Sequence, residues 1–250
     1  PLVFRWSLAG ATLMLGSLPS EHTIEYKVTI GVEDTEPITF KNVSTNRGLD
    51  EMMVEAAVPV AILMNNPYKS VDIKSLDVDV RVAPKNIVSH IWTVDLSDSR
   101  VKAGQEVKME VVVESFLAEK KKYQVSLKIP DELAPGRYDL LLCGGYDYLQ
   151  FLRKAAPYRF VPQNLSDLIK AMNNILAIKR DKLYLLLVLP PGGVAIEKAE
   201  LPDLPATKAL VLQDAKRTLS IQPYQHWVEK SFRTGTVIID KKVMRIVVEK

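Results

Sequence analysis

Three histidines and one cysteine are the scarcest reactive side chains of this 250-residue chain. A hydrolytic site needs a hydroxyl or thiol nucleophile beside a base that is itself held in place. His22, His90 and His226 are widely separated and none lies in a catalytic motif, while Cys143 follows an apolar run typical of a buried strand. We therefore expect no catalytic residue, and hydrolysis through His226 is the weakest of three functional hypotheses.

Metal and cofactor motifs are missing from the sequence. Asp77 and Asp79 share one side of a predicted strand, where solvent exposure is the simpler interpretation and calcium binding the alternative. The glycines at 144–145 and 192–193 lack the lysine and the strand-to-helix context of a phosphate-binding loop. We predict no cofactor and no metal, and we interpret these glycines as turns.

Aromatic side chains are densest just after Cys143. Such rings could stack on sugars or line a peptide groove, or they could seal the core at a domain junction. We keep both interpretations, and the predicted binding surface consists of Tyr146, Tyr148, Phe151, Tyr158, His226 and Trp227.

Composition limits the partners. Basic side chains exceed acidic ones by 33 to 30 and are spread along the chain, so nucleic acid is not an expected partner. The one basic run, Lys120–Lys122, lies in a predicted hairpin tip. A hydrophobic content of 47% supports a buried core, and no apolar run is long enough for a transmembrane segment. Residues 5–15 superficially resemble a signal peptide, but the start at Pro1 favours strand and turn in part of a longer protein.

Residues 101–145 carry the clearest structural pattern. Apolar side chains alternate from Val107 to Val113 and again from Tyr123 to Ile129, which predicts a hairpin with a charged tip. Proline and glycine then precede a strand at Tyr138–Cys143. Short strands at this spacing are typical of an immunoglobulin-like β-sandwich, which we assign to residues 85–162.

The first flank, residues 1–84, is predicted to be α+β. A hairpin spans 24–43, a helix spans 49–64 with Pro59 kinking or dividing it, and Asn65–Pro67 stops it. A long strand follows at 71–82, with a bulge near Ser75. Beyond the boundary, a strand at 87–96 places Val88, His90, Trp92 and Val94 on one face.

The second flank, residues 163–250, is also predicted to be α+β. Apolar spacing from Leu165 to Leu176 indicates a helix, with Asn164 or Ser166 as its N-cap. The apolar run Leu183–Leu189 predicts a strand buried on both faces. A closing hairpin turns at 240–242. The fold class is thus mainly β (α+β), and the two flanks, each with one main helix, could pack together around the sandwich.

These elements, in this order, resemble a known family. The phrases are Asn65–Pro67, Val71–Val82, Val101–Val107, Asn164–Ile169, Lys182–Leu185, Leu201–Pro205 and the closing hairpin. Together they resemble the C-terminal, non-catalytic region of bacterial proteins that carry a SpoIVB-type serine peptidase domain. The resemblance implies an extracytoplasmic, envelope-associated protein. The family's Gly-x-Ser-Gly-Ser/Cys-Pro motif is missing here, so no catalytic residue is carried over.

Two binding functions follow as expectations. The first is a non-catalytic accessory region that mediates protein association or substrate presentation, with a protein partner or the parent peptidase domain, and with self-association left open. Strand addition beside Lys108, Glu110 and Glu114 is one way to accept a partner. The second is a carbohydrate-binding module that uses the aromatic surface and predicts a flat, exposed platform.

Overall fold

The computed structural model describes residues 6–8, 10–11, 14, 16–33, 35–196, 198–202 and 221–249. Strands hold 47% of the residues and helices 22%, which confirms a mainly β chain. The helices are α1 (Asp50–Met64), α2 (Gly145–Ala155) and α3 (Leu165–Leu176). The strands are β1 (Thr23–Val32), β2 (Ile38–Thr45), β3 (Ile73–Ala83), β4 (Val88–Leu96), β5 (Arg100–Lys102), β6 (Glu106–Ser115), β7 (Lys120–Lys128), β8 (Gly136–Gly144), β9 (Lys182–Val188), β10 (Val194–Ile196), β11 (Ala199–Leu201), β12 (Ile221–Pro223), β13 (Trp227–Arg233), β14 (Val237–Ile238) and β15 (Lys241–Glu249).

The first layer is a three-stranded antiparallel sheet in the order β2-β1-β3. Its apolar face, which includes Ile24, Val28 and Ile30, is buried against α1, while alternate polar residues face away. The predicted hairpin is therefore confirmed. Gly31 pairs with Ser75 and Val32 with Ile73, so one residue of β3 is skipped, as the bulge prediction required.

Helix α1 is one continuous helix, not two divided at Pro59. The Pro59 ring is buried, and its packing offsets the backbone hydrogen bond that proline cannot make. The predicted stop after Met64 is confirmed. The Asn66 side chain donates to the Leu63 carbonyl oxygen at 2.6 Å and satisfies a group that the helix end leaves open, because Pro67 has no N–H. The Asn65 side chain donates to the Ala61 carbonyl oxygen at 2.8 Å, which also accepts the Asn65 backbone N–H.

The larger unit consists of two sheets that face each other, in the orders β14-β4-β6-β7 and β13-β9-β8-β15-β5. Their inner faces share one apolar core, which includes Val107, Val111, Leu140, Leu185 and Ile246. Strand β9 lies between β8 and β13 and is buried on both faces, as its continuous apolar sequence predicts.

The predicted boundary at residue 162 needs correction. Strands β9, β13, β14 and β15 belong to the region 163–250, yet they complete both sheets of the sandwich. Residues 85–162 therefore do not close a sandwich alone, because β8 has β9 and β15 as its two neighbours. Helix α3 does join the first flank, since Met172 and Leu176 pack in the same cluster as α1.

The predicted closing hairpin is wrong. Strand β14 pairs in parallel with β4, whereas β15 pairs with β8 and β5 in the opposite sheet. The chain crosses between the sheets at Asp240, whose carboxylate accepts hydrogen bonds from the Ile91 amide at 3.0 and 3.1 Å. That long-range anchor replaces a local turn.

The predicted face of β4 also needs correction. A register shift between Ile91 and Thr93 reverses the alternation, so Ile91 points into the core while His90 and Trp92 are exposed. Trp92 instead lies under the Lys120 ammonium, 3.7 Å from the ring centroid. The run Lys120–Lys122 begins β7 and does not form a hairpin tip.

Strand addition beside Lys108, Glu110 and Glu114 is incompatible with the sheet order. These residues lie on β6, which is paired with β4 on one side and β7 on the other. Among the described strands, β7 forms one end of this sheet, and its lysines protect that edge from pairing.

Two sequence predictions concern residues beside the gaps in the described part of the chain. Residues 6–8 and 10–11 are helical, where strand and turn are the prediction for this stretch. Residues 203–205 of the Leu201–Pro205 motif lie outside the described residues. Among the described residues, no helix has the length and apolarity to cross a bilayer.

Candidate functional site

Most of the predicted aromatic surface comes together on the outer face of the five-stranded sheet. Helix α2 places Tyr148 on Tyr184 of β9, with the two rings parallel within 6° and their centroids 4.1 Å apart. Phe151 meets Trp227 edge-on at 5.3 Å. Tyr148 and Tyr158 are buried. These rings therefore fasten α2 to the sheet and do not form a flat exposed platform.

Two carboxylates hold this aromatic layer in place. Glu229 accepts hydrogen bonds from the Tyr148 hydroxyl at 2.7 Å and from the Trp227 indole N–H at 2.9 Å. Glu200 accepts from the Tyr158 hydroxyl at 2.8 Å and from Arg159 at 2.6 Å. Burial and the carboxylate raise the pKa of Tyr158 to about 12, so this phenol donates and does not ionise near neutral pH.

A cleft of about 480 Å³ opens beside these rings, and the exposed His226 lies at its margin. Arg159 covers the Trp227 ring, with its guanidinium carbon 5.2 Å from the ring centroid. The aromatic face that a sugar would need is thus occupied by a side chain of the same molecule. The arrangement fits the sealing role better than ligand stacking.

The reactive side chains are not brought together. His22 is buried with its Nδ1 2.8 Å from the Pro19 carbonyl oxygen, and His90 lies 3.8 Å from Asp240 at the surface. Burial raises the pKa of the Cys143 thiol to about 12, which suppresses the reactive thiolate. Asp77 and Asp79 are exposed on β3, and the described residues contain no group of three or more potential metal ligands.

A row of exposed apolar side chains lies elsewhere, in a groove between α1 and α3. Asp50, Val54, Val58 and Ile62 recur every four residues along one ridge of α1, opposite the face that packs on the sheet. Val54 and Val58 are 45% and 46% exposed, and Ile62 is 36% exposed. The groove encloses about 570 Å³, and Ile175 of α3 lies on its other wall. We call this surface the α1–α3 groove.

Arg180 closes one end of the α1–α3 groove. Its guanidinium lies 3.2 Å from Glu51 and 3.2 Å from Glu55, and all three side chains are at most 17% exposed. It also donates to the Tyr26 hydroxyl at 3.1 Å and to the Val43 carbonyl oxygen at 3.0 Å. Burial, with the Glu55 carboxylate as the next cause, raises the pKa of Tyr26. This cluster ties α1 and the first sheet to the segment that enters β9.

Tyr146, the sixth residue of the predicted aromatic surface, belongs to this groove and not to the aromatic layer. Its ring centroid is 5.6 Å from the Arg47 guanidinium carbon and 5.1 Å from that of Arg180. Its hydroxyl is buried and has no hydrogen-bond partner among the described residues. The predicted surface is therefore split between two sites.

Sequence reasoning missed the groove, although part of its signal is local. Helix α1 is apolar on two opposite faces, and a helix that is apolar all round needs cover on more than one side. The spacing of Glu51 and Glu55 also places two carboxylates on one helix face. The role of Arg180 could not be predicted from its neighbours in the sequence, because Arg180 lies more than a hundred positions from Glu51 and Glu55.

Comparisons with known proteins do not assign this chain to a family. No family model matches it, and no curated protein or solved structure matches it significantly. The function is therefore inferred from the two surfaces described above.

Proposed function

We propose that this chain is a non-catalytic region that binds a protein partner through the α1–α3 groove. The observation that carries the proposal is the ridge Val54, Val58 and Ile62, three large apolar side chains exposed in a row on a helix. Covering such side chains with a partner removes apolar area from water, which stabilises by about 1.5–3 kcal/mol for a side chain that goes from fully exposed to fully buried. Because these three are already more than half covered, each would contribute roughly half of that or less. Rows of this kind mark interaction sites on soluble domains.

The groove favours a helical segment as its occupant. The exposed side chains of the ridge are four residues apart, so the apolar row of a partner helix can pack against them. At one end of the ridge Asp50 is exposed and makes no ion pair with the described residues, whereas the nearby Glu51 and Glu55 are already paired with Arg180. We therefore expect a partner helix of about three turns, with apolar residues four apart and a basic residue at the end beside Asp50.

The family resemblance names the first partner to test. If the chain belongs to SpoIVB-type peptidase proteins, the groove would bind the peptidase domain or present its substrate, in an extracytoplasmic, envelope-associated setting. The sandwich, with two facing sheets and one core, supports an immunoglobulin-like scaffold for that role, although four of its nine strands come from residues 163–250. On this proposal the sandwich provides rigidity and the groove provides recognition.

Carbohydrate binding is the weaker proposal. Tyr148 and Tyr158 are buried, and Arg159 covers the half-buried Trp227, so a sugar ring would have to displace an ion-paired side chain. The observations on the aromatic layer therefore support a structural role.

Peptide display tests the groove directly. Random 16-residue peptides displayed on phage are selected on the immobilised chain. Excess soluble Val58→Lys variant is added so that it removes peptides that bind outside the groove. We expect enriched peptides with apolar residues four apart and a basic end, and a dissociation constant by calorimetry that rises at least tenfold for Val58→Lys. Val161→Lys is the matched control, because Val161 is 59% exposed and does not line the groove.

A peptidase domain of the SpoIVB type is then mixed with each variant and analysed by gel filtration. Co-elution that is lost in Val58→Lys and kept in Val161→Lys supports the named partner. If no peptide is enriched, or if enriched peptides bind Val58→Lys as tightly as the unmodified chain, the proposal fails.

A further inference from the structure

The second exposed recognition element is the outer edge of β3. Within the described residues, β3 pairs with β1 and with no other strand, so one side of this 11-residue strand has free backbone groups. Its inward row, Leu76, Val78, Val80 and Val82, is only half-buried. A long edge with half-exposed apolar residues is the type of strand that adds another strand.

The charges on β3 point to the occupant. On the outward face, Asp79 lies opposite Lys27 of β1, and Arg81 lies opposite Glu25. A strand that continues this sheet favourably places a cation beside Asp79 and an anion beside Arg81. The β3 strand of a second copy, running antiparallel, meets this requirement. The partner's Arg81 can then lie beside Asp79, and the partner's Asp79 beside Arg81.

We propose that two copies of this chain associate through antiparallel pairing of β3 with β3, with Val80 opposite Val80 of the partner subunit. In this register Asp79 lies opposite the partner's Arg81, and the reverse contact follows from the two-fold axis. The charges then alternate across four strands: Lys27, Asp79, the partner's Arg81 and the partner's Glu25. The two three-stranded sheets join into one of six strands.

Neighbouring registers are less favourable, which makes the proposal specific. Because side chains alternate, only shifts by an even number of residues keep the apolar rows on one face. A register centred on Asp79 brings two Asp79 side chains together, and one centred on Arg81 brings two Arg81 side chains together. A register centred on Val78 places Asp77 against the partner's Asp79 at both symmetric positions. Of these registers, only the one centred on Val80 places opposite charges across the contact and brings no two like charges together.

The inward row supports the same register. Val80 lies opposite the partner's Val80, and Val78 lies opposite the partner's Val82, so β-branched side chains pair across the new contact. Such pairs stabilise sheets through side-chain packing. Dimerisation would thus bury more of this half-exposed apolar row, which β1 and α1 cover only in part.

Charge reversal tests the register in solution. The full chain is analysed by sedimentation equilibrium at low salt, and we expect a dimer. Asp79→Arg alone and Arg81→Asp alone each place like charges opposite each other twice per dimer, so the dissociation constant should rise at least tenfold. An equimolar mixture of the two variants should dimerise again, because each variant supplies the charge that the other lacks. That recovery cannot come from a folding defect.

Two controls separate this contact from the α1–α3 groove and from other registers. Asp77→Arg should leave the dimer intact, because position 77 lies opposite the partner's Ala83. Val58→Lys should also leave it intact, because the groove lies on α1. A chain that is monomeric at 100 µM, as an order of magnitude for weak association, overturns the inference. A dimer that ignores both charge reversals, or single variants that do not pair with each other, also overturns it.

Discussion

Arg180 shows, at the scale of single residues, how one side chain joins two regions of the molecule. It brings a positive charge between Glu51 and Glu55 of α1, while its backbone amide donates to the Asn42 side chain at 3.1 Å. Two carboxylates this poorly exposed are tolerated on one helix face because a guanidinium with several donors lies between them. The cluster also forms one end of the α1–α3 groove.

Arg180→Met should lower the free energy of unfolding by about 3 kcal/mol. Methionine fills a similar volume but leaves Glu51 and Glu55 without a counter-charge. Urea unfolding of both proteins at pH 7 measures the difference.

Lys74→Met is the control for an ion pair at the surface. Lys74 lies 2.8 Å from Glu33, but the two side chains are 60% and 44% exposed. Solvent screening makes such a pair worth little, so its removal should change the stability by less than about 0.5 kcal/mol. Equal losses in the two variants would show that the Arg180 cluster is no more than a surface ion pair.

The connection between β8 and α2 requires a residue without a side chain. Gly144 ends β8 and packs against the backbone of β14, where a Cβ atom would overlap the Ile238 carbonyl group. The strand, the helix and the crossing chain can therefore meet at this point only if residue 144 has no side chain. The two glycines at 144–145 suggest a turn in the sequence, but a helix begins there.

Gly144→Ala should destabilise the protein by more than about 3 kcal/mol, because overpacking forces the backbone of β14 away from the sheet. Gly192→Ala is the matched control, since its Cβ would meet no atom within 4 Å. Thermal unfolding followed by circular dichroism compares the two. A melting temperature that falls equally in both variants would contradict the steric argument.

At the scale of the whole molecule, the sandwich depends on strands that are far apart in the sequence. Strand β8 lies between β9 and β15, and β4 pairs with β14. A fragment of residues 85–162 lacks β9, β13, β14 and β15, so it would expose most of the apolar core. Folding such a fragment would order its residues without the burial that offsets the entropy cost.

We therefore expect the fragment 85–162 to be unfolded in buffer. The measurement is the amide region of a proton–nitrogen correlation spectrum, with the full chain as the folded reference. Narrow proton dispersion is the expected result. Well-dispersed peaks and a cooperative urea transition would restore residues 85–162 as an independent domain.

Elements whose information is local were predictable from the sequence alone. Alternation with period two specified the pairs β1–β2 and β6–β7, an apolar stripe specified α3, and the continuous apolar run specified β9. The same reasoning placed Cys143 in a buried strand. These features follow from the backbone geometry of a few neighbouring residues.

Tertiary structure decided which strands become neighbours and which surfaces remain open. The crossing at Asp240 depends on a hydrogen bond to Ile91, 149 positions away, and Arg180 contacts Tyr26, 154 positions away. The open edge of β3 follows from the strand order of the first sheet among the described residues. Periodicity tells which face of a strand is apolar but not which strand lies beside it. The aromatic residues that looked like a binding surface therefore became packing, while an apolar ridge of α1 became the candidate site.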